Sequence, residues 1–298
     1  MGRETLLTVL LLLLGGLAVQ PFALMPRRQC PGEAPQIAER RAWLQLWLPI
    51  VPALLVAAWL CGWALQESDP VHDRADPGML VAACLPFALI ALRAALRAAW
   101  AILRQPAELP ICSTGLWRPH ILFSPFLARA LDEGQIRAAW EHEQAHVRHR
   151  DPLRIWLAQM ATDLQWPWPW ARERLDTWLE ILECARDDEA RSRGASGIDL
   201  AAAVVTTARL ASSPLGPQAP RWLSPVDAPL LGDARSLQTR VARLLAPLPD
   251  SDGAHGWLRH GDTAVAALLA AMAGIAAASG AAYGEWIVHL LLEWTWAI

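Results

Sequence analysis

Two histidines and a glutamate near the middle of the chain have the types and the spacing of a metal-dependent hydrolytic centre. His142, Glu143 and His146 form a His-Glu-x-x-His motif in a segment that favours a helix. Because residues four apart lie on one face of a helix, the two imidazoles are predicted to bind one zinc ion. Glu143 is predicted to be the general base, taking a proton from zinc-bound water, whose pKa the metal lowers to about 7.

Such a centre needs a third protein ligand, and the best candidate lies on a second predicted helix. Glu183 occurs in the segment 179–191, and its carboxylate is predicted to complete the zinc site. Asp187 follows one turn later on the same face, where it can accept a hydrogen bond from the outer ring nitrogen of a zinc-bound histidine. Glu180, one turn before Glu183, is the competing carboxylate.

The order of these motifs resembles that of the BlaR/MecR-type integral-membrane zinc peptidases. The His-Glu-x-x-His motif is followed by an Arg-rich run that ends at Asp151, then by a Trp/Pro segment and by Glu-x-x-x-Asp. It is preceded by the segment 111–125, which is similar to the edge-strand hairpin of that family. The similarity is close over residues 105–200 and extends in outline to the flanking apolar segments.

The resemblance implies a function and a set of site residues. In that family the two histidines and the glutamate of the second helix bind zinc, and the motif glutamate is the general base. The corresponding residues here are His142, His146, Glu183 and Glu143. The implied activity is that of a zinc endopeptidase acting on a protein or peptide, for which a cytoplasmic transcriptional repressor is one candidate. Arg186 and Gln144 depart from the residues common in the family, but neither is a ligand.

Family members that sense β-lactams carry a large extracytoplasmic penicillin-binding domain after their last membrane span. We expect no such domain after the last apolar segment of this chain. A role as a β-lactam sensor is therefore not predicted.

The composition predicts that these elements belong to a membrane protein. Hydrophobic residues make up 54% of the chain and charged residues 18%, whereas soluble domains are about 25% charged. Four apolar segments have the length of a membrane span, namely 5–24, 43–65, 78–100 and 263–284. For the first of them a cleaved signal peptide is the alternative.

The loop charges orient these spans. The first loop carries Arg27, Arg28, Arg40 and Arg41, whereas the second loop is mainly acidic. The positive-inside rule therefore places the zinc motif in the cytoplasm of a multi-pass protein of the inner (plasma) membrane. The predicted divisions are three transmembrane helices with short loops in 1–104, a cytoplasmic zinc-peptidase domain in 105–262, and a fourth transmembrane helix with an interfacial tail in 263–298.

The predicted fold is mainly α, with a zincin-like domain that carries a small β-hairpin inserted between membrane helices. Asp132 and Glu133 indicate the start of the motif helix. Asp151 and Pro152 are predicted to be the cap and first-turn proline of the next helix. The segment 247–262 is predicted to link the last helix of the domain to the fourth span.

Several functions remain open, and some are excluded. The net charge of -3 and the lack of a basic block argue against nucleic-acid binding, and five cysteines without paired spacing argue against a disulfide framework. The alternatives to a regulatory endopeptidase are a membrane quality-control protease and a non-catalytic signalling protein with a structural zinc. No fourth protein ligand is evident in the sequence, which favours catalysis. The oligomeric state is not predicted.

Overall fold

The computed structural model of the chain describes residues 34–66, 77–103, 111–123, 129–165, 168–211, 234–248 and 255–296. Within these residues the protein is mainly helical with one small sheet, as predicted. The helices, numbered in chain order, are α1 (Pro35–Trp47), α2 (Val51–Gln66), α3 (Pro77–Leu103), α4 (Glu133–His149), α5 (Asp151–Asp163), α6 (Trp170–Ser192), α7 (Gly197–Ala211), α8 (Ala234–Leu245) and α9 (His255–Trp296). The strands are β1 (Ile111–Thr114) and β2 (His120–Phe123).

The chain forms two compact units. The first, called the helix-pair unit, contains the described residues of Trp47–Leu89 and Gly253–Ile298. The second, called the histidine unit, contains those of Gln29–Leu46 and Ile90–Asp252. Helices α2 and α9 therefore belong to the helix-pair unit, and α4 to α8 with the hairpin belong to the histidine unit. The three-part division predicted from the sequence stays a prediction.

Helices α2 and α9 approach each other closely at glycines. A Cβ atom on Gly62 would lie 1.9 Å from the carbonyl oxygen of Ala277, and a Cβ on Gly280 would lie 1.9 Å from that of Trp59. Any side chain at these two positions would therefore force the backbones apart. Small residues at these positions let the two helix backbones approach closely.

One helical segment in the described part of the chain is long and apolar enough to cross a membrane. This segment, Ala267–Ile287, lies within α9 and includes most of the predicted fourth span. Large apolar side chains are exposed along it, including Leu268, Ile275 and Trp286. A shorter apolar segment, Leu54–Trp63, lies in α2.

Two predictions about the apolar segments need correction. The segment 43–65 is not one helix, because a turn at residues 48–50 separates α1 from α2. Pro49 disfavours the helical conformation of the residue before it, and Pro52 fits only in the first turn of a helix. The linker predicted for 247–262 is also shorter, since α9 begins at His255. The first predicted span, 5–24, lies outside the described residues.

The core of the histidine unit surrounds α4. Ala138 of α4 packs in one cluster with residues of α6, α7 and α8, which are Ala190, Leu200, Ala201, Val204 and Leu244. Ala139, its neighbour, packs in a second cluster with Ile111 of β1, Leu131 and Ala203. Apolar contacts therefore hold α4 on two sides. These contacts set the direction of the face that carries His142 and His146.

Strands β1 and β2 form the predicted antiparallel hairpin. Cys112 lies opposite Leu122, and Thr114 lies opposite His120. Gly115 follows β1 with a φ of 94°, in the left-handed region that glycine adopts without strain. The hairpin is attached to α4 through the apolar cluster that contains Ile111.

The ends of α4 are well defined. Asp132 caps its N-terminus, where its carboxylate accepts a hydrogen bond of 2.8 Å from the backbone N–H of Gln135. Arg150, with a φ of 53°, ends α4 and directly precedes α5. The prediction that Asp151 caps α5 is therefore wrong: Asp151 is the first residue of that helix. Its side chain is buried and contacts His146 instead of capping the helix.

Candidate metal centre

The candidate site lies between α4 and α6. His142 and His146 project from one face of α4, as their spacing predicts, and Glu183 projects from α6. All three side chains are buried, and one ligand atom from each lies within 4.8 Å of the others. The structure thus brings the three predicted ligands together in a group that could hold a metal ion.

The distances within this group suit a single ion. The two Nε2 atoms of His142 and His146 are 3.1 Å apart. Glu183 Oε2 lies 3.4 Å from Nε2 of His142, and Glu183 Oε1 lies 3.6 Å from Nε2 of His146. Ligand atoms at tetrahedral positions around one zinc ion are about 3.3 Å from each other. The measured separations fall on both sides of this value.

The tautomers of the two histidines also favour a cation between them. Nδ1 of His146 lies 2.8 Å from Asp151 Oδ2, and Nδ1 of His142 lies 2.9 Å from Asp187 Oδ1. The second contact is short but poorly aligned for a hydrogen bond. Since a carboxylate only accepts, a proton on each Nδ1 faces its aspartate, and in the neutral form of each imidazole Nε2 presents a lone pair. Two lone pairs at this separation repel each other unless a proton or a metal ion lies between them.

Glu183 provides a separate test of whether a metal fits. Both of its carboxylate oxygens are buried and have no hydrogen-bond partner among the described residues. Arg240 Nη1 lies 2.9 Å from Oε2, but as an ion pair and not as an aligned hydrogen bond. Buried polar atoms are usually hydrogen-bonded, so these two oxygens have unused capacity to accept or to coordinate. Coordination to a metal would use this capacity, so the donor set fits a divalent ion.

The electrostatics of the group are those of a cation site. Burial opposes protonation of His142, but its contacts with Asp187 and Glu183 outweigh burial and raise the pKa of His142 to about 9. Burial alone would raise the pKa of Glu183, but the Arg240 guanidinium, together with both histidines, lowers that pKa to about 2. The carboxylates around the two histidines therefore favour positive charge at this position.

None of the three comparisons with known proteins, namely with family models, curated sequences and solved structures, gives a match. The resemblance to the BlaR/MecR-type peptidases therefore stays a prediction. Support for the chemistry of the site therefore comes only from the residues and distances of this chain.

One buried aspartate and arginine support His146. Asp151 accepts hydrogen bonds from Arg186 through both oxygens, including one of 3.0 Å from Nη2 to Oδ1. Burial alone would raise the pKa of Asp151, but His146 and Arg186 hold it well below its usual range. We call His146, Asp151 and Arg186 together the Arg186 arm.

The Arg186 arm is extended towards α1. Arg154 donates to Asp151 Oδ1 over 3.1 Å and to Glu39 Oε1 over 2.6 Å. Trp178 also donates its indole N–H to Glu39 Oε1, over 2.9 Å. This network connects α1 to a residue that orients a candidate ligand.

A second aspartate and arginine support His142. Asp187 accepts a hydrogen bond of 2.6 Å from Arg240 Nε and one of 2.7 Å from Arg240 Nη2. Burial alone would raise the pKa of Asp187, but Arg240 and His142 hold it well below its usual range. We call His142, Asp187 and Arg240 together the Arg240 arm. Asp187 thus lies beside the outer nitrogen of a candidate ligand, where the sequence predicted it.

Sequence reasoning missed the functional positions of Asp151 and Arg240. Asp151 lies in an Arg-rich run at a helix start, where a capping role is the simpler prediction. Arg240 lies on an amphipathic helix, among Leu237, Val241 and Leu244 at helical spacing. An arginine within an apolar helical face was the available signal, because a buried guanidinium requires an acidic partner.

The remaining candidates lie as follows. Glu143 is buried on α4, next to His142. Glu180 is exposed, so it does not compete with Glu183 as a ligand. Asp188 pairs with Arg243 at 2.7 Å. Burial raises the pKa of Cys184 to about 11, which favours the protonated thiol over the thiolate that reactive cysteines use.

Proposed function

We propose that the chain is an integral-membrane zinc-dependent endopeptidase that hydrolyses a cytoplasmic protein substrate in regulatory signalling. The observation that carries this proposal is the buried convergence of His142, His146 and Glu183. Glu143, which follows His142 in the sequence of α4, is also buried. Two imidazole nitrogens and one carboxylate are a known ligand set of catalytic zinc. A transcriptional repressor is one candidate substrate, suggested by the resemblance described above.

The number of ligands favours a catalytic site over a structural one. Structural zinc sites are closed by four protein ligands, whereas catalytic sites have three and leave one position for water or substrate. The group in the described residues contains three. The carboxylates of Asp151 and Asp187 contact the Nδ1 atoms of the histidines, and this arrangement is typical of metal-ligating histidines.

The residues of the chain can be assigned to the steps of hydrolysis. Bound zinc would supply a Lewis acid that lowers the pKa of a water molecule and polarises a carbonyl group. Glu143 would remove a proton from the attacking water and deliver it to the nitrogen of the leaving amine. Asp187 and Asp151 would hold the imidazoles so that each Nε2 faces the ion. Together these roles complete a zincin-like mechanism.

The proposed location is the inner membrane, in a multi-pass arrangement with the histidine unit in the cytoplasm. Support comes from the Ala267–Ile287 segment of α9 and from the glycine-mediated contact of α9 with α2. The arginines of the first loop give the orientation. This proposal includes the predicted divisions 1–104, 105–262 and 263–298.

Proteolysis can be tested even though the substrate is unidentified. Newly formed protein N-termini would be compared by mass spectrometry in cells that produce the wild type or the Glu143→Gln variant. We expect cleavage products that occur only with the wild type. The variant keeps every proposed ligand, so both proteins purified in detergent should contain equal zinc.

Two outcomes would count against the proposal. Identical sets of N-termini with both proteins, at equal zinc content, would indicate a metal site without peptidase activity. A wild type that contains no zinc would remove the chemical basis for proteolysis. The first outcome would leave a non-catalytic membrane protein with a structural metal.

A further inference from the structure

Arg240 contacts more of the candidate site than a supporting residue requires. Its guanidinium is buried and makes two hydrogen bonds to Asp187. It also extends past Asp187 to two of the atoms that are proposed to bind the metal. Nη1 lies 2.9 Å from Glu183 Oε2, and Nη2 lies 3.4 Å from His142 Nε2.

Asp187 uses only some of the N–H groups of Arg240. Arginine has five N–H groups, and Asp187 accepts from Nε and from one hydrogen on Nη2. The other three are on Nη1 and Nη2, close to Glu183 Oε2 and His142 Nε2. If these two atoms bind a metal, the single lone pair of His142 Nε2 is directed to the ion, whereas the Glu183 carboxylate keeps lone pairs that can accept from one N–H of Arg240. Up to two N–H groups of a buried cation would then lack a strong acceptor beside the metal.

The chemistry of the proposed reaction supplies an acceptor at this position. When the water oxygen adds to the peptide carbonyl carbon, the C=O electron pair moves onto the carbonyl oxygen, which becomes negative. Collapse of that species restores C=O and breaks the C–N bond. Glu143 carries the proton from the water to the departing nitrogen, so the products are a carboxylic acid and an amine. A fixed guanidinium beside the carbonyl oxygen stabilises its negative charge, as an oxyanion hole does.

We propose that Arg240 is a catalytic residue that binds the substrate carbonyl oxygen as its negative charge develops. This inference rests on the proposed peptidase function and names a residue for the charge stabilisation that function requires. Arg186, the corresponding residue of the other arm, pairs with Asp151 and approaches Glu189 to 3.9 Å. It therefore has acceptors that a metal would leave in place.

Binding of a simple anion tests this role while the substrate is unidentified. The wild type, Arg240→Gln, Arg240→Lys and Arg243→Gln would be purified in detergent, loaded with zinc and freed of excess metal by gel filtration. The affinity for inorganic phosphate would be measured by calorimetry, together with the zinc content. Arg243→Gln is the matched control, because it removes a positive charge from the same helix, where Arg243 pairs with Asp188.

We expect phosphate to bind the zinc-loaded wild type and to bind Arg240→Gln about 10- to 100-fold more weakly, because hydrogen bonds to a charged group are lost. Arg240→Lys should retain part of the affinity because it keeps the charge, and Arg243→Gln should match the wild type. All four should contain zinc.

Several results would overturn the inference. The first is a phosphate affinity of zinc-loaded Arg240→Gln within twofold of the wild-type value. The second is a loss of phosphate affinity in Arg243→Gln as large as that in Arg240→Gln. The third is no phosphate binding by the zinc-loaded wild type. Loss of zinc from both Arg240 variants would show that Arg240 only positions the ligands. A wild type without zinc would instead refute the proposed function, so the two failures are distinguishable.

Discussion

Each candidate ligand histidine contacts an aspartate, and each aspartate pairs with an arginine. The two arms nevertheless differ in which parts of the chain supply these residues. In the Arg186 arm, Asp151 is only five residues from His146, and Arg186 is 35 residues further on. In the Arg240 arm, Asp187 belongs to a second helix and Arg240 follows 53 residues later, on α8. Arg186 pairs with Asp151 and lies 3.9 Å from Glu189. Arg240 pairs with Asp187 and also lies 2.9 Å from Glu183, and it therefore couples α8 to the candidate metal position.

The largest effect is expected when the aspartate of the Arg186 arm is neutralised. Asp151→Asn leaves the guanidinium of Arg186, whose side chain is 3% exposed, buried without its counter-charge. Breaking one partner of a buried ion pair costs about 3–5 kcal/mol. The free energy of unfolding, followed by tryptophan fluorescence during chemical denaturation in detergent, should fall by this amount.

The double variant Asp151→Asn with Arg186→Met is the control for this prediction. It removes both charges, so it should be less destabilised than Asp151→Asn alone. Equal destabilisation of the single and double variants would show that the ion pair is not the cause.

The next effect concerns metal affinity and separates the two arms. Asp187→Asn removes the negative charge beside His142 Nδ1 and weakens the hold on Arg240, which can then pair more closely with Glu183 and compete with the metal. Loss of such a supporting carboxylate weakens metal binding about 10- to 100-fold. We expect the loss of zinc affinity, measured by competition with a chelator, to be larger for Asp187→Asn than for Asp151→Asn. Equal losses would contradict the distinction between the arms.

The smallest effect is expected at Glu189, which lies near the outer end of the Arg186 arm. Burial opposes its ionisation, but His149 and Arg148 outweigh burial and lower the pKa of Glu189 to about 2. Because this pKa is below the unfolded value, the ionised carboxylate stabilises the fold above about pH 4.5, and this contribution is lost as the pH falls towards 2.

The Glu189→Gln variant should therefore lose part of the acid dependence of stability between pH 4.5 and pH 2. The difference at neutral pH should be below about 1 kcal/mol, since the partner side chains are partly exposed to solvent. Superimposable plots of unfolding free energy against pH for the variant and the wild type would argue against this role.

Local sequence patterns predicted the parts of the site that depend on one or two helices. Helical spacing places His142 and His146 on one face, and the same rule places Asp187 one turn after Glu183. Asp132 marks the start of α4 as its type predicts. These features follow from the geometry of a single helix, so they can be read without the tertiary structure.

The parts that depend on tertiary packing could not be predicted in the same way. Asp151 has the position of a helix cap, and only the approach of α6 provides Arg186 as a partner. Arg240 is separated from Asp187 by the whole of α7, so its contact depends on the packing of α8 in the apolar cluster with Leu244. The break between α1 and α2 was also missed, because proline is tolerated in some apolar helices.

The most direct test of the metal site is the zinc content of the wild-type protein purified in detergent, measured beside His142→Ala and Glu183→Gln. The geometry predicts one zinc ion per chain in the wild type and markedly less in both variants, while all three proteins remain folded by circular dichroism. A wild type that binds no zinc even after incubation with the metal would contradict the site and, with it, the proposed peptidase.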